Sequence, residues 1–551
     1  MKTKRRYVLL VAALVMPLTF AGAHPGQRNA ARSPQDAAAG KKIADDFVNA
    51  LLTAKDHYAG SIDYDRLTRS SIVGMLHTLD PHSSYFDRKS WEEFLNDQRS
   101  RYTGIGSVIS QRYDKVFILA PTEGAPAYHA GARYGDHIIE VNGESTKGWN
   151  TTQVRNKLIG PEGTQVTVKV ERLGLSQPLE FKITRGAVPK PSVTNYFMVG
   201  NGVGYVNLQN GFNTTTFREV SSAIAELKGQ GMTSLILDLR FNGGGLVDQA
   251  YRVSNLFLYQ GQRILSMRGR AASFPSRDYA AENTSPIDYP VVVLINRGSA
   301  SASEIVAGAL QDHDRARIVG ENSFGKGLVQ NPFPLGDGSA LILTTGHYYT
   351  PSGRLIQRPY TGRSFYDYYL QRGDKEAIQR TEEKRTDSGR TVYGGGGIQP
   401  DVEVKIPEKD IELQRIWLQP VFVFARELVA GRIAGFAEFK IDRSPDHRHR
   451  LRSDEFVVTD KLLAAFKTYL REHKDLNVSE TRVDKDAEFV KRQIRYEVAT
   501  AAYGLEIAYQ VLLGGDVQMQ QALSEMPKAK AMAEDVRKTW ATVRNGEVRR
   551  N

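Results

Sequence analysis

At 551 residues, a quarter of them charged and 41% apolar, the chain is long enough for three or more ordinary domains and reads as globular. Its formal net charge of +11 is spread along the sequence rather than gathered into blocks, which argues against nucleic-acid binding. Cysteine is absent, excluding disulfides, cysteine-based metal sites and a lipidated cysteine anchor.

The first residues read as an export signal. Met1 to Arg6 is basic, Val8 to Phe20 is apolar, and Ala21-Gly22-Ala23 supplies small residues for cleavage before His24. The apolar run is short and interrupted by Pro17, so it is not expected to span a membrane. A mature protein cut after Ala23 is expected in a periplasm or extracellular space, without an integral span. Losing the four basic residues of the signal leaves it a charge of about +7. Residues 24–34 read as a linker. From 35 to 100 the pattern is helical, with Ile43, Phe47, Leu51 and Ala54 at three- and four-residue steps. A second amphipathic run, Leu67 to Leu79, ends at Asp80-Pro81-His82-Ser83, where His82 reads as a turn residue with no catalytic role.

Residues 101–186 carry short strand-like runs (107–110, 116–120, 137–141, 165–171) around one helical segment, 151–159. Glycine motifs punctuate them: Y-T-G-I-G at 102–106, A-x-x-A-G-A at 127–132, G-D-x-I-x-x-V-N-G at 135–143 and G-P-x-G-T at 160–164. From about 190 to 406, strands and helices alternate as in βαβ units. Val203–Leu208 reads as a strand, Phe217–Leu227 as a helix, and Ser234–Leu239 as a buried strand that breaks at Asn242-Gly243-Gly244-Gly245. Another buried strand, Val291–Ile295, runs into Ser299, Ser301 and Ser303, after which a helix begins. Lys326 follows in a glycine-flanked turn, with Gln330 four residues on. Residues 372–396 read as an exposed loop. Beyond 407 the pattern is helical again, with Ile494, Val498, Ala501, Leu505 and Leu512 forming one apolar stripe expected to serve packing or oligomerisation.

The serine cluster opens a helix, where free amides and the helix dipole favour negative charge. A serine there can attack a carbonyl whose oxyanion the same amides hold. It needs a base, and a lysine can serve when burial keeps it neutral. Gln330 can orient such an amine without adding a charge that would raise its pKa. Once helical geometry begins, side chains two apart diverge by about 200°, so one serine alone can face Lys326. A Ser-His-Asp arrangement is the rival. However, His313 would lie about 18 Å from Ser301 along one helix, and His347 sits in a strand pattern. No H-E-x-x-H or similar metal spacing occurs, so neither metal nor cofactor is expected.

The two stretches G-x-A-S-A-S-E-I-x-A-G-A-L-Q-D (298–312) and V-G-x-x-x-F-G-K-G-x-x-Q (319–330) resemble the core of the carboxyl-terminal processing, or tail-specific, proteases. The resemblance extends over residues 40–406 and takes in L-D-P-H-S at 79–83, the four glycine motifs, Y-Y-T-P-S-G-R at 348–354 and G-I-Q-P-D at 397–401. It implies a multidomain α/β protein: a helical N-terminal segment (35–100), a PDZ domain (101–186), a ClpP/crotonase-like protease core (190–406) and a helical C-terminal region (407–551). It also implies a serine–lysine dyad of Ser301 and Lys326 assisted by Gln330, with an oxyanion hole formed by the Gly244 and Ala302 amides. Tyr102, Thr103, Gly104, Ile105 and Gly106 then form a carboxylate-binding loop, and Val108 begins the edge that a peptide extends. The implied substrates are exported proteins with free, apolar C-termini. An adaptor lipoprotein and a homo-oligomer through the terminal helical regions are left open. Two departures stand out: Gly243 replaces a proline of the family turn, and Ile159 occupies the place of an arginine implicated in activation. Some members implicate an aspartate at the position of Asp312, for which a structural role at a helix end is expected here. The alternative is a non-catalytic binder of apolar ligands, as in interphotoreceptor retinoid-binding protein. Such a relative would be expected to lose the serine or the lysine, and both are present.

Overall fold

The computed structural model describes residues 34–548 apart from 272–273, 275, 363–364 and 371–381. The export signal expected at 1–23 and the linker residues up to 33 lie outside the described residues. Buried five-residue runs of β-branched and aliphatic side chains make the centre. Val203–Asn207 and Val291–Ile295 are buried at every position, as strands covered on both faces must be. They belong to a six-stranded sheet in the order Asn195–Gly200, Val203–Asn207, Ser234–Asp238, Val291–Ile295, Arg317–Gly320, Val402–Glu403. The first pair is antiparallel and the others are parallel.

One face of this sheet packs against the helices Thr216–Gly229, Val247–Asn255 and Ala302–Asp312 through Val220, Leu227, Val253, Ile305 and Val306. The other face carries Tyr205, Ile236, Val292, Leu294 and Val319, and the long helix Val517–Val548 covers it with Met519, Ala522, Met526 and Ala529. The C-terminal region therefore supplies a layer of the central α/β core itself. At about 1.5–3 kcal/mol per buried aliphatic side chain, removing this helix would leave the parallel strands exposed on one side.

A second sheet pairs Leu328–Pro334 with Ala340–Tyr349, which also pairs with Ser84–Phe86 and Arg263–Arg268. The N-terminal region thus departs from the helical expectation. Helices Pro34–His57, Tyr64–His77 and Arg88–Gln98 are present, but Ser84–Phe86 is a strand of the core. The stretch SYF is too short to show an alternating pattern, and only its partner strand makes it one.

In the PDZ portion, the strands Ser107–Arg112, Lys115–Pro121, His137–Val141, Gln165–Glu171 and Leu179–Thr184 enclose Ile118, Ile138, Val154 and Val168, with the helix Thr151–Leu158 alongside. Asn150 starts that helix through a reciprocal capping box with Gln153. The opposite side of the domain is merged with the C-terminal helices. Phe117 and Tyr134 meet Phe422 edge-on at 5.1 and 5.7 Å. The Tyr134 hydroxyl donates to buried Glu497 at 2.7 Å, and Arg426 Nε donates to the Gly135 carbonyl at 2.9 Å.

Two further expectations are corrected. The apolar stripe from Ile494 to Leu512 is divided between the helices Ala487–Tyr503 and Leu505–Leu513. Gly504 breaks it at φ 88°, where a Cβ would lie 2.6 Å from the His447 ring. Within 372–396, residues Glu383–Arg385 and Thr391–Tyr393 form a hairpin rather than an open loop. It is tied down by Asp387 to His313 and by Arg390 to Asp314. Among the described residues, no helix is long and apolar enough to cross a membrane.

Candidate active site

The parallel strands Ser234–Asp238 and Val291–Ile295 end side by side, and the loops leaving them are laced together. Asn242 is fully buried. Its side-chain amide reaches the Leu208 carbonyl, and its Oδ1 accepts from Gly244 N–H at 2.9 Å. Its carbonyl accepts from Ala300 N–H and from the Ser303 hydroxyl, both at 2.9 Å. Ser299 Oγ donates to the Leu239 carbonyl at 2.8 Å and accepts from Asn296 N–H at 2.9 Å. Two of the three serine hydroxyls are therefore committed to holding the loops. Ser301 Oγ is buried and has no partner. The flanking hydroxyls are thus removed by the facing loop, a different reason from helical divergence, since Ser301 precedes the helix as its cap.

Ser301 adopts φ 60° and ψ −113° immediately before the helix Ala302–Asp312. That backbone conformation is rare for a residue with a Cβ and marks a sharp turn held in place by its surroundings. Gly244 is what allows the opposing loop to approach. A Cβ on it would lie 2.6 Å from Ser301 Cβ and 2.7 Å from the Ala300 carbonyl. Gly244 thus sits against Ser301, but its N–H is turned to Asn242. Ala302 N–H is at the first helical position, where no intrahelical acceptor exists.

Lys326 is brought to the same place by two buried groups. The Glu304 carboxylate, on the first turn of the helix, accepts from Ser301 N–H at 2.7 Å, Lys326 N–H at 2.9 Å and Gly325 N–H at 2.6 Å. Burial raises the pKa of Glu304 against these hydrogen bonds. The Tyr348 hydroxyl lies 3.1 Å from the Ser301 carbonyl and 2.7 Å from the Lys326 carbonyl, sharing its proton between them. Lys326 itself is only 3% exposed, and burial pushes its amine down to about 7 against the upward pull of Asp80 and Glu304. Such an amine is half neutral near neutral pH and able to accept a proton. Gln330 is fully buried. Its Nε2 donates to the His82 carbonyl at 2.7 Å, and its Oε1 has no partner.

The rival histidines are elsewhere. His313 caps the far end of the helix, with Nδ1 on Asp387 and Nε2 on the Arg263 carbonyl, both at 2.7 Å. His347 lies in the strand Ala340–Tyr349. Asp312 holds the fully buried Arg354 at 2.6 Å and the Ser352 hydroxyl at 2.7 Å, which ties down the turn after that strand. Among the described residues, no cluster of acidic and histidine side chains could hold a metal ion.

The residues expected to bind a terminal carboxylate divide between strand and loop. Arg101–Gly104 is a strand paired with Gly186–Pro189 rather than a free loop, so alternate residues of this stretch give their backbone groups to that partner. Ile105 and Gly106 bridge it to the strand Ser107–Arg112, Ile105 buried and Val108 exposed beyond it. Gly106 has φ 70°, and a Cβ there would lie 2.3 Å from that of Ala125. Ile159 ends the helix Thr151–Leu158, and Arg185 caps that end by donating to the Lys157 and Leu158 carbonyls.

Sequence reasoning missed Glu304, Asn242, Tyr348 and the Asp80–Ser83 turn. The Ser301-x-x-Glu304 spacing is a capping-box signature that could have flagged Glu304. The other three lie in stretches already noted, 242–245, 348–354 and 79–83, to which no such role was attached.

The peptidase family S41 pattern matches residues 202–362, and a PDZ domain pattern matches 117–172. A carboxy-terminal-processing protease of Bartonella bacilliformis is 39% identical over 315 residues, 56% of this chain and 72% of that protein. The carboxy-terminal processing protease CtpA of Bacillus subtilis is 33% identical over 351 residues, 64% of this chain and 73% of its own length. A solved photosystem II D1 C-terminal processing protease is 28% identical, aligned over 68% of this chain and 90% of that one with a TM-score of 0.35. This chain therefore belongs to the carboxy-terminal processing proteases of peptidase family S41, serine peptidases that carry a PDZ domain.

Proposed function

We propose that this protein is an exported endopeptidase that captures the free C-terminus of a polypeptide in its PDZ domain and cleaves it with Ser301 as nucleophile and Lys326 as general base. The observation that carries this reading is the buried, unpaired hydroxyl of Ser301, on a residue whose backbone is joined through Glu304 and Tyr348 to that of a buried lysine with an amine near 7. The Ser301 proton passes to the neutral Lys326 amine as Oγ bonds to the scissile carbonyl carbon. Ala302 N–H, at the helix N-terminus, receives the developing oxyanion. Gly244 joins it when its N–H turns from Asn242, a movement that a glycine backbone permits. The ammonium then returns the proton to the leaving amine, and water releases the acyl group by the reverse sequence.

Ile105 and Gly106 are the amides proposed to hold the terminal carboxylate, with Val108 opening the strand edge beside an apolar terminal residue. Tyr102, Thr103 and Gly104 shape that loop from the adjoining strand. The test is hydrolysis of an unstructured peptide with an apolar C-terminus, as free acid and as amide. The free acid is expected to be cut faster, and Ser301→Ala to cut neither. Equal rates on both peptides would leave a peptidase that does not read C-termini, and activity in Ser301→Ala would end the assignment of the nucleophile.

A further inference from the structure

The Asp80–Ser83 turn comes from the N-terminal region, more than two hundred residues before Lys326, yet it is packed into the site. Asp80 is 6% exposed and His82 is 2% exposed. Asp80 Oδ1 accepts from His82 N–H at 2.8 Å and Ser83 N–H at 2.7 Å, and Oδ2 accepts from the Ser83 hydroxyl at 2.7 Å. Ser83 Oγ in turn accepts from Thr344 N–H at 3.1 Å, and the following strand pairs with 340–342. The His82 ring is held at both nitrogens, by the Tyr368 hydroxyl at 2.9 Å and the Tyr369 hydroxyl at 3.0 Å. Tyr369 donates to the Pro81 carbonyl and Tyr368 accepts from Gln357. The protons are consistently placed with His82 neutral, donating from Nδ1 and accepting at Nε2. Burial, followed by Lys326 and Arg358, holds the imidazole well below its usual range.

The His82 carbonyl accepts from Gln330 Nε2 at 2.7 Å, which joins the turn to the candidate catalytic residues. That bond decides which way the Gln330 amide faces, because the oxygen must then point the other way, and Oε1 is left buried and unpartnered. A carboxylate, Asp80, fixes the conformation of the carbonyl that does this.

We infer that the Asp80–Ser83 turn is a positioning device for the catalytic base: the His82 carbonyl fixes Gln330 with its oxygen as acceptor, and the Asp80 carboxylate supplies a counter-charge for the Lys326 ammonium formed during acylation. The inference rests on Lys326 being the base. Asp80 on the turn and Glu304 on the nucleophile helix act on that amine, the amine and Arg358 act on the His82 ring, and the Tyr348 hydroxyl donates to the Lys326 carbonyl. Asp80 and Glu304 both favour the ammonium. Both carboxylates are hydrogen-bonded, Asp80 to His82 and Ser83, and Glu304 to three backbone amides and the Ser323 hydroxyl.

Asp80→Asn separates charge from geometry. The asparagine oxygen can still accept from both amides, and its Nδ2 can donate to Ser83 Oγ. In the full chain, the expected result is a drop of about tenfold in the high-pH plateau of kcat, with KM for the peptide unchanged. The acid limb of kcat/KM should move to lower pH by about one unit, the size of effect that one opposite charge has on a neighbouring pKa. Asp80→Glu should restore part of both. A purely structural role would lower the plateau without moving the limb, and an unmoved limb in a folded Asp80→Asn protein overturns the inference. Lys326→Met is run beside it. If that variant still hydrolyses peptide, the base assignment has failed; if it is inactive and Asp80→Asn keeps the wild-type limb, only the role of the turn has failed.

Discussion

Replacing Lys326 by methionine should stabilise the protein while inactivating it, and the size of the gain should depend on pH. The folded chain holds this amine near 7, against 10.5 for an ordinary lysine. At about 1.36 kcal/mol per pKa unit, that difference corresponds to ~5 kcal/mol. Partial relaxation around the buried charge brings the expected gain to about 2–5 kcal/mol. The sign follows from proton counting. Between pH 7 and 10.5 the unfolded chain keeps a proton that the folded chain has released, so wild-type stability rises with pH across this window. Below 7 both states are protonated and the full penalty of a buried ammonium applies. Methionine fills a similar volume without that penalty. Thermal melts of wild type and Lys326→Met from pH 6 to 10 should therefore show the variant melting higher, by on the order of 5 °C at pH 6. The gap should close towards the alkaline end. Parallel melting curves, or a variant that melts lower throughout, would mean that the amine is not depressed and that neutral lysine is not the base. In the wild type, kcat/KM should climb with pH through about 7 as the amine loses its proton.

Other substitutions test the surrounding geometry. Ser299→Ala and Ser303→Ala should each cost about 1–2 kcal/mol, the value of a buried hydrogen bond, and keep most peptidase activity, whereas Ser301→Ala keeps none; melts and peptide assays on the three separate these roles. Gly244→Ala puts a Cβ 2.6 Å from that of Ser301 at φ 99°, so kcat should fall by about a hundredfold or more, as read from steady-state kinetics. Asp312→Asn weakens the partner of the fully buried Arg354 and should lower the melting temperature while leaving kcat per folded molecule near wild type; the reverse pattern would give Asp312 a role in the chemistry. Phe422→Ala removes the ring that Phe117 and Tyr134 pack against, a loss of about 3–5 kcal/mol. The PDZ domain should then loosen and be cut faster by limited proteolysis between residues 186 and 195.

Much of the fold and of the site was legible because it is written in local patterns. Buried parallel strands read as unbroken aliphatic runs, as at Val291–Ile295. Gly244, Gly245 and the glycines beside Lys326 mark turns where no Cβ fits, and the serine-to-lysine spacing identified a family. Those signals depend on residues close in sequence, whose backbone preferences and periodicity act before any long-range contact forms. They singled out Ser301 among three serines by resemblance and side-chain direction rather than by contacts, and gave no role to L-D-P-H-S or to the helix after residue 516. Tertiary structure shows what surrounds each of these, because those partners lie far away in the chain. Leu239 and Asn242 consume the hydroxyls of Ser299 and Ser303 and leave that of Ser301 free. The Asp80 turn lies against Lys326 only because Ser84–Phe86 pairs with 340–342. The last helix becomes part of the protease core because a parallel sheet must be covered on both faces, and Tyr205, Ile236 and Val292 offer an apolar surface that nothing nearer in sequence can bury.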